Sequence, residues 1–538
     1  MAKFIAAAPR ITTISLFAAL LATGCGSGSS GTRPPPIDND RPPIIDNGGS
    51  NSSGGSNTAP DTEWTRGVYK PSSAFQNFCA TPRSGSNPYT DEPYPDKQGD
   101  VVHENHFLRS WSDENYLWYD ELPDINPNNY DSPLDYFALL KTDALSPSGK
   151  AKDHYHGYEN EVEGDQLSAS GEKVGYGLEL IFDQDTIELH VAYVEENSPA
   201  AAANIRRGMR VAAVNGATSP AQTEADYNTI INALYYPEAE QENTFVFETS
   251  SGTRVTRRLE ATAVEVSPVY LSKVISTPYG KVGYMMVNSF LPSKLIAQLA
   301  DTISEFNATG IDDLILDLRY NGGGYGTYGS MLAYMTAGDS ATAGEDYAIY
   351  QFNDKQQEFN QPLEFISEAQ ADSNTTVELP SLNLPKVYVL STPSTCSASE
   401  QYINGLRGIG VEVILIGQTT CGKPYGFTGS AVNCGIRYFS IDVQTTNGQG
   451  FGDYIDGFEP VSTGADVHSA KVQGCKVEDD LSSELGETTD PLISAALFYR
   501  ENGRCPSASS FAQKTGRTSI TGGQIIVPFG QQILRVKR

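Results

Sequence analysis

Residues 386–427 read KVYVLSTPSTCSASEQYINGLRGIGVEVILIGQTTCGKPYGF, and this stretch decides the architecture. Its first apolar run, 387–390, is short and contains β-branched residues, as expected of a buried parallel strand, and Thr392-Pro393 stops it. A helix is expected to start at Ser397. The second apolar run, 411–416, predicts another strand, with the turn 418–423 at its carboxyl end. Sites in open α/β sheets gather at that edge, so Ser397 and Lys423 are expected to project from the same rim.

A serine hydroxyl is a poor nucleophile until a base removes its proton during attack. Lys423 can serve only when neutral, and burial lowers a lysine from its ordinary pKa of about 10.4 by disfavouring the charge. A helix start adds the positive end of the helix dipole, with the N–H of Ala398 pointing where an oxyanion would form. The same residues also have a purely structural reading: Ser397-Ala-Ser-Glu400 is a capping box, and Gly422-Lys423 can be a solvated turn. A second stretch adds weight to the chemical one. Residues 312–319, DDLILDLR, read as a buried strand that runs directly into Tyr320-Asn321-Gly322-Gly323-Gly324. Glycines at a strand end permit close backbone approach and unusual dihedrals, so their N–H groups can face a developing charge.

DLRYNGGG, then SASE, then a Gly-Lys turn resembles the C-terminal processing peptidases, and the resemblance extends from about Gly171 to Tyr499. It implies Ser397 as nucleophile, Lys423 as general base and Glu400 as a supporting acid. Ala398 and one of Gly323 or Gly324 would supply the oxyanion N–H groups. The implied fold is α/β, with a catalytic core of the crotonase-like (ClpP/crotonase) type, and no cofactor is implied. Two positions depart from the family pattern. The Ser397 to Lys423 interval is one residue longer than usual, and Phe427 stands four after the lysine, where many members carry a polar residue that orients it. Glu400 would then have to do the orienting.

The family also carries a PDZ domain. Tyr176, Gly177 and Leu178 resemble its carboxylate-binding loop and following strand, and Asn197-Ser198-Pro199-Ala200, Arg207-Gly208 and Val214-Asn215-Gly216 resemble its later landmarks in order. In such a domain a peptide adds as a strand while loop N–H groups hold its terminal carboxylate. The expected organisation is a signal peptide over 1–25, a tether over 26–60, a helical amino-terminal domain over 61–168, a PDZ domain over 169–264, a Ser-Lys peptidase core over 265–505 and a tail over 506–538. Within it, 104–119 and 134–140 are expected to be helical, 438–444 alternates like a half-buried strand, and 524–527 is strand-like.

The 538-residue chain has room for several domains, and its net charge of −29, from scattered acidic residues, argues against a nucleic-acid partner. Lys3 and Arg10 precede an apolar stretch, 11–22, too short to span a bilayer. It ends in Leu-Leu-Ala-Thr-Gly-Cys25, which resembles a bacterial lipobox with Ala22 where leucine is preferred. The Gly-, Ser-, Pro- and Asn-rich segment after it suits a tether. The expectation is a lipid-anchored protein of the cell envelope, facing the periplasm or cell exterior, that acts on protein or peptide substrates with a free C-terminus. Six cysteines follow Cys25, an even number that suits disulfides in an exported chain. Cys421 and Cys434 flank an expected hairpin that includes Lys423, and are expected to be bridged. Cys396 is the rival nucleophile, without a histidine near it in sequence, and no metal-ligand spacing appears. Two further readings stay open: a non-catalytic peptide- or ligand-binding protein on the same fold, and a hydrolase of small esters.

If Cys25 carries the lipid, Cys25→Ser will release the protein from the membrane fraction or stall its processing. Unchanged detergent partition of the variant would refute the anchor.

Overall fold

The computed structural model describes residues 58–507 apart from 184–185 and 373–374, together with the strands Ser519–Ile520 and Gln524–Ile525. Cys25 and nearly all of the expected tether lie outside the described residues. No helix among them is long and apolar enough to cross a membrane.

The central sheet has seven strands in the order Val269–Thr277, Gly280–Val287, Asp313–Asp317, Lys386–Ser391, Glu412–Gly417, Lys471–Lys476, Glu459–Val461. The first pair is antiparallel and every later pair is parallel. Side chains alternate across a strand, so a sheet covered on both faces needs apolar residues at every position of its inner strands. Those of the sequence do: Leu314 and Leu316, Val387 and Val389, Val413 and Leu415 enter one core, while Ile315, Tyr388 and Leu390, Ile414 and Ile416 enter the other. The first core is closed by the helices Leu295–Thr309, Gly326–Ala337 and Ala398–Gly408. The second is closed by the helix Pro491–Asn502 and by Ile181, Ala192 and Tyr193 of a second sheet.

That second sheet is antiparallel throughout, ordered Arg254–Glu260, Glu242–Glu248, Arg210–Val214, Glu188–Val194, Leu178–Asp183, with Gln524–Ile525 on the outer edge of the last. Its own core includes Tyr176, Val191, Ile230, Phe245 and Phe247. Nearer the amino terminus, the helix Val101–Asn115 starts on Asp100, whose carboxylate accepts from the His103 N–H at 3.1 Å. Its buried face, with Phe107, Leu108 and Trp111, meets Phe137 and Tyr438.

The expected strand 438–444 divides. Ile436–Phe439 joins a small sheet with Ala431–Asn433 and Gly157–Asn160, whereas Val443–Thr446 pairs with Tyr425–Gly426 and Asp346–Phe352. Ser440 and Asp442, both buried, lie at the crossing; the Asp442 carboxylate accepts from the N–H groups of Thr428 and Gly429, which turns the chain. This also corrects the expected Cys421–Cys434 bridge. Tyr425–Gly426 pairs away from Ala431–Asn433, so no hairpin brings the two cysteines together. The disulfides are Cys79–Cys434, Cys396–Cys421 and Cys475–Cys505.

At the carboxyl rim of the central sheet Arg319 is fully buried, in ion pairs with Asp317 at 2.8 Å, Asp490 at 2.8 Å and Asp479 at 3.0 Å. Burial alone would push the guanidinium down, but the three carboxylates outweigh it and hold its pKa well above the ordinary value. Asp479 also takes Arg207 of the second sheet at 2.8 Å and the Tyr320 hydroxyl. One cation thus ties a sheet strand, the last helix and the second sheet. Replacing Arg319 by Met leaves three buried carboxylates without it, and the expected loss is about 3–5 kcal/mol in urea unfolding. A loss within the error of the measurement would show that water or rearrangement compensates them.

Candidate functional site

Ser397 is the N-cap of the helix Ala398–Gly408 and has φ 56°, a conformation that residues with a side chain rarely adopt and that costs on the order of 1–3 kcal/mol. The surrounding bonds hold it there. Cys396 N–H and the Ser399 hydroxyl both donate to Asn321 O at 3.0 Å, and the Thr395 hydroxyl donates to Leu318 O at 2.8 Å. The serine elbow therefore hangs from the end of the neighbouring strand.

The glycine turn explains itself in the same contacts. Gly323 has φ +107°, and a Cβ there would fall 2.7 Å from Ser397 Cβ and 3.1 Å from Ala398 N, so no other residue fits against the elbow. Gly324 has φ +137° and lies against Phe290 instead, where a Cβ would meet its carbonyl carbon at 2.4 Å. The choice left open between these glycines narrows here, because Gly323 N–H donates to Asn321 Oδ1 at 2.8 Å. Among the described residues, no acceptor takes the N–H of Gly324 or of Ala398.

Glu400 joins the serine and lysine segments. It is fully buried, and both carboxylate oxygens are used: Oε1 accepts from the Thr420 hydroxyl at 2.5 Å and Gly422 N–H at 2.8 Å, and Oε2 from Ser397 N–H at 3.1 Å and Lys423 N–H at 2.8 Å. Burial raises its pKa to about 7, although the Thr420 hydroxyl and the three N–H groups favour the ionised form. The expectation that Glu400 orients the lysine side chain needs correction. Its bonds go to the backbone of Lys423, since every lone-pair direction is already engaged.

The Lys423 side chain is buried, makes no ion pair among the described residues, and lies with Nζ 3.7 Å from the ring centroid of Phe427 and 4.9 Å from that of Tyr155. Burial lowers its pKa to about 7, against the opposing pull of Asp153, Glu400 and Asp442. Phe427, the departure from the family pattern, is thus an aromatic face over the amino group; rings attract a cation by roughly 0.5–2 kcal/mol and so work against the burial. Tyr155 was not legible in the sequence. It comes from the amino-terminal part of the chain, placed by Asp153, whose carboxylate accepts from Tyr155 N–H at 2.9 Å and the Tyr116 hydroxyl at 2.7 Å. Only its position in the aromatic run Asp-His-Tyr-His could have drawn notice.

A disulfide closes the site from behind. Cys396, directly before Ser397, is bonded to Cys421, two before Lys423, with the Cα atoms 5.2 Å apart. The rival thiol nucleophile is thereby excluded in this state. Cys396, Glu400 and Cys421 are the one group of possible metal ligands among the described residues, and both sulfurs are consumed by the bond.

Tyr176, Gly177 and Leu178 lie elsewhere. Tyr176 is buried in the second sheet, its hydroxyl 2.6 Å from Asn243 Nδ2, and Gly177, at φ +72°, leaves no room for a Cβ beside Ser198. The carbonyls of Tyr176 and Gly177 accept from Ala200 and Glu195 N–H.

Residues 281–455 match the family model for peptidase family S41, and residues 103–154 match that for the peptidase S41 N-terminal domain. All three stretches that suggested the resemblance lie within the first match. The chain is similar to the carboxyl-terminal-processing protease of Picosynechococcus sp., with 25% identity over 258 residues, or 48% of this chain and 56% of that protein. It therefore spans little more than half the length of that relative. A crystal structure from Bacteroides fragilis, assigned to the S41 proteases, shares the fold at a TM-score of 0.54 with 22% identity, covering 76% of this chain and 99% of its own.

The lysine makes a prediction that is independent of any activity. Its pKa is about 7 when folded and about 10.4 when unfolded, so between those values the unfolded chain binds the extra proton and this group's contribution to stability rises with pH. Lys423→Met removes that dependence. The variant should be more stable than the parent at and below pH 7, and its advantage should shrink steadily towards pH 10 in thermal unfolding. A gap constant with pH would mean that the lysine is not held in a depressed state.

Proposed function

We propose that this chain is a serine endopeptidase of the C-terminal processing type, working through an acyl-enzyme with Ser397 and Lys423. The observation that carries the reading is a buried, unpaired Lys423 with a pKa near 7, held with Ser397 by one carboxylate. Neutral Nζ takes the proton as Ser397 Oγ attacks the carbonyl carbon. The oxyanion is received by the Ala398 N–H at the helix start and by Gly324 N–H, since that of Gly323 is engaged. Lys423 returns its proton to the leaving amine, and water then hydrolyses the ester on Ser397. Tyr155 and Phe427 keep water from the amino group.

We further propose that the core over 265–505 is crotonase-like and that the sheet over 169–264 is a PDZ domain. It would take the carboxyl end of a protein along Leu178–Asp183, with the N–H groups of the Tyr176 to Leu178 loop on the carboxylate. Cys25 would anchor the enzyme to the envelope membrane.

Ser397→Ala and Lys423→Ala should each abolish cleavage of an unfolded protein, and the double variant should be no worse, because residues that act as one unit are not additive. Lys423→Arg should be equally inactive, since a guanidinium keeps its proton. The rate should climb with pH through an ionisation near 7 and level off above it, the sign expected for a base that works deprotonated. Purified protein that cleaves nothing would favour the binding-protein reading, and activity surviving in Lys423→Ala would remove the lysine from the mechanism.

A further inference from the structure

The second sheet has an occupant. Leu178–Asp183 pairs with Glu188–Val194 on one side, and on its outer side with Gln524–Ile525, from near the end of the chain. The pairing is antiparallel, with Gln524 opposite Phe182 and Ile525 opposite Ile181. Going forward along the tail therefore means going backward along the strand, towards the loop at Tyr176, Gly177 and Leu178. This is the polarity of a peptide whose carboxyl end is to reach that loop, since strand addition to an edge is directional. The sequence there, Gln-Ile-Ile-Val followed by Pro528, is β-branched and then stopped, which suits a short added strand.

The tail makes a second contact of the same kind. Ser519–Ile520 pairs antiparallel with Asp479–Asp480. Asp479 is the carboxylate that takes both Arg207, from the second sheet, and Arg319 and Tyr320, from the strand that leads into the glycine turn. The described strands of the tail thus pair with the segment that carries Asp479 at one point and with the edge of the second sheet at another. An edge strand left bare is a ready template for any extended peptide, and here the chain itself covers it.

We propose that the strand Gln524–Ile525 is an internal ligand of this protein: it holds the outer edge of Leu178–Asp183 in the orientation of a captured peptide, and an incoming substrate must displace it. The substrate class that fits is an extended, unfolded polypeptide segment, recognised through its backbone at this edge. The idea rests on the reading of the second sheet as a peptide receiver. A tethered ligand competes at an effective concentration on the order of millimolar, so a free peptide meets a large handicap until the tail lets go.

The test uses the Ser397→Ala protein, so that nothing is cleaved, in three forms: the full chain, a chain ending at Ser507, and the full chain with Gln524→Pro and Ile525→Pro, which cannot add as a strand. Hydrogen exchange is read at the amides of Leu178–Asp183, and a fluorescent peptide with the sequence of residues 519–530 is titrated into each. In the full chain the edge should be protected and the peptide weakly bound. In both altered forms the protection should fall, the peptide should bind at least tenfold more tightly, and saturating peptide should restore the protection. Equal protection in all three forms, or lost protection with no peptide binding, would overturn the proposal. Neither readout involves catalysis, so failure here leaves the Ser-Lys reading intact, and a chain ending at Ser507 that binds the peptide yet, with Ser397 restored, cleaves nothing would do the opposite.

Discussion

The site depends on one buried carboxylate. Ser397 and Lys423 come from loops after different strands, and parallel strands fix the height of those loops but not their lateral approach. Glu400 supplies that approach by accepting hydrogen bonds from the backbones of both. Unpartnered, such a group would not be tolerated in an apolar interior; four donors make it tolerable, and the same four make its position rigid. The lysine is then free to remain without a counter-ion. A Glu400 directed at Nζ would have favoured the charged amino group; bonded to the backbone instead, the carboxylate leaves the side chain without a counter-ion.

Much of this was legible in the sequence where a local signal and a long-range demand agreed. The strands Asp313–Asp317, Lys386–Ser391 and Glu412–Gly417 were expected within two residues because a strand buried on both faces must be apolar at every position. The helix start at Ser397 followed from its cap, and the glycines from the turn they must make. What could not be read were contacts made across hundreds of residues. Tyr155 reaches Lys423 from the far side of the second sheet's sequence, and nothing near either residue specifies the meeting. The disulfides failed for a related reason: nearness in sequence suggested Cys421 with Cys434, but the chain turns at the buried Asp442 and sends the two cysteines to different partners. Alternation along 438–444 suggested a half-buried strand, but Tyr438 and the run from Ser440 to Val443 are all buried, because two sheets share the segment.

The aromatic surroundings of Lys423 also shift the meaning of Phe427. In a family pattern that asks for a polar group at that position, a phenyl ring reads as a defect. Around the amino group it excludes water as a polar group would not, while its π face partly offsets the loss of hydration. The two effects have opposite signs, and burial lowers the lysine to about 7 against the pull of Asp153, Glu400 and Asp442.

The Cys79–Cys434 bond spans 355 positions. A ribosome makes the chain from the amino end, so the region around Cys79 is synthesised, and leaves the exit tunnel, long before its partner exists. Through that interval the thiol of Cys79 can meet three other cysteines made before Cys434, namely Cys25, Cys396 and Cys421. The covalent seal on the amino-terminal segment is consequently one of the last events in the life of the nascent polypeptide, and any rearranging oxidoreductase would find its work there rather than at the closely spaced Cys475–Cys505 pair.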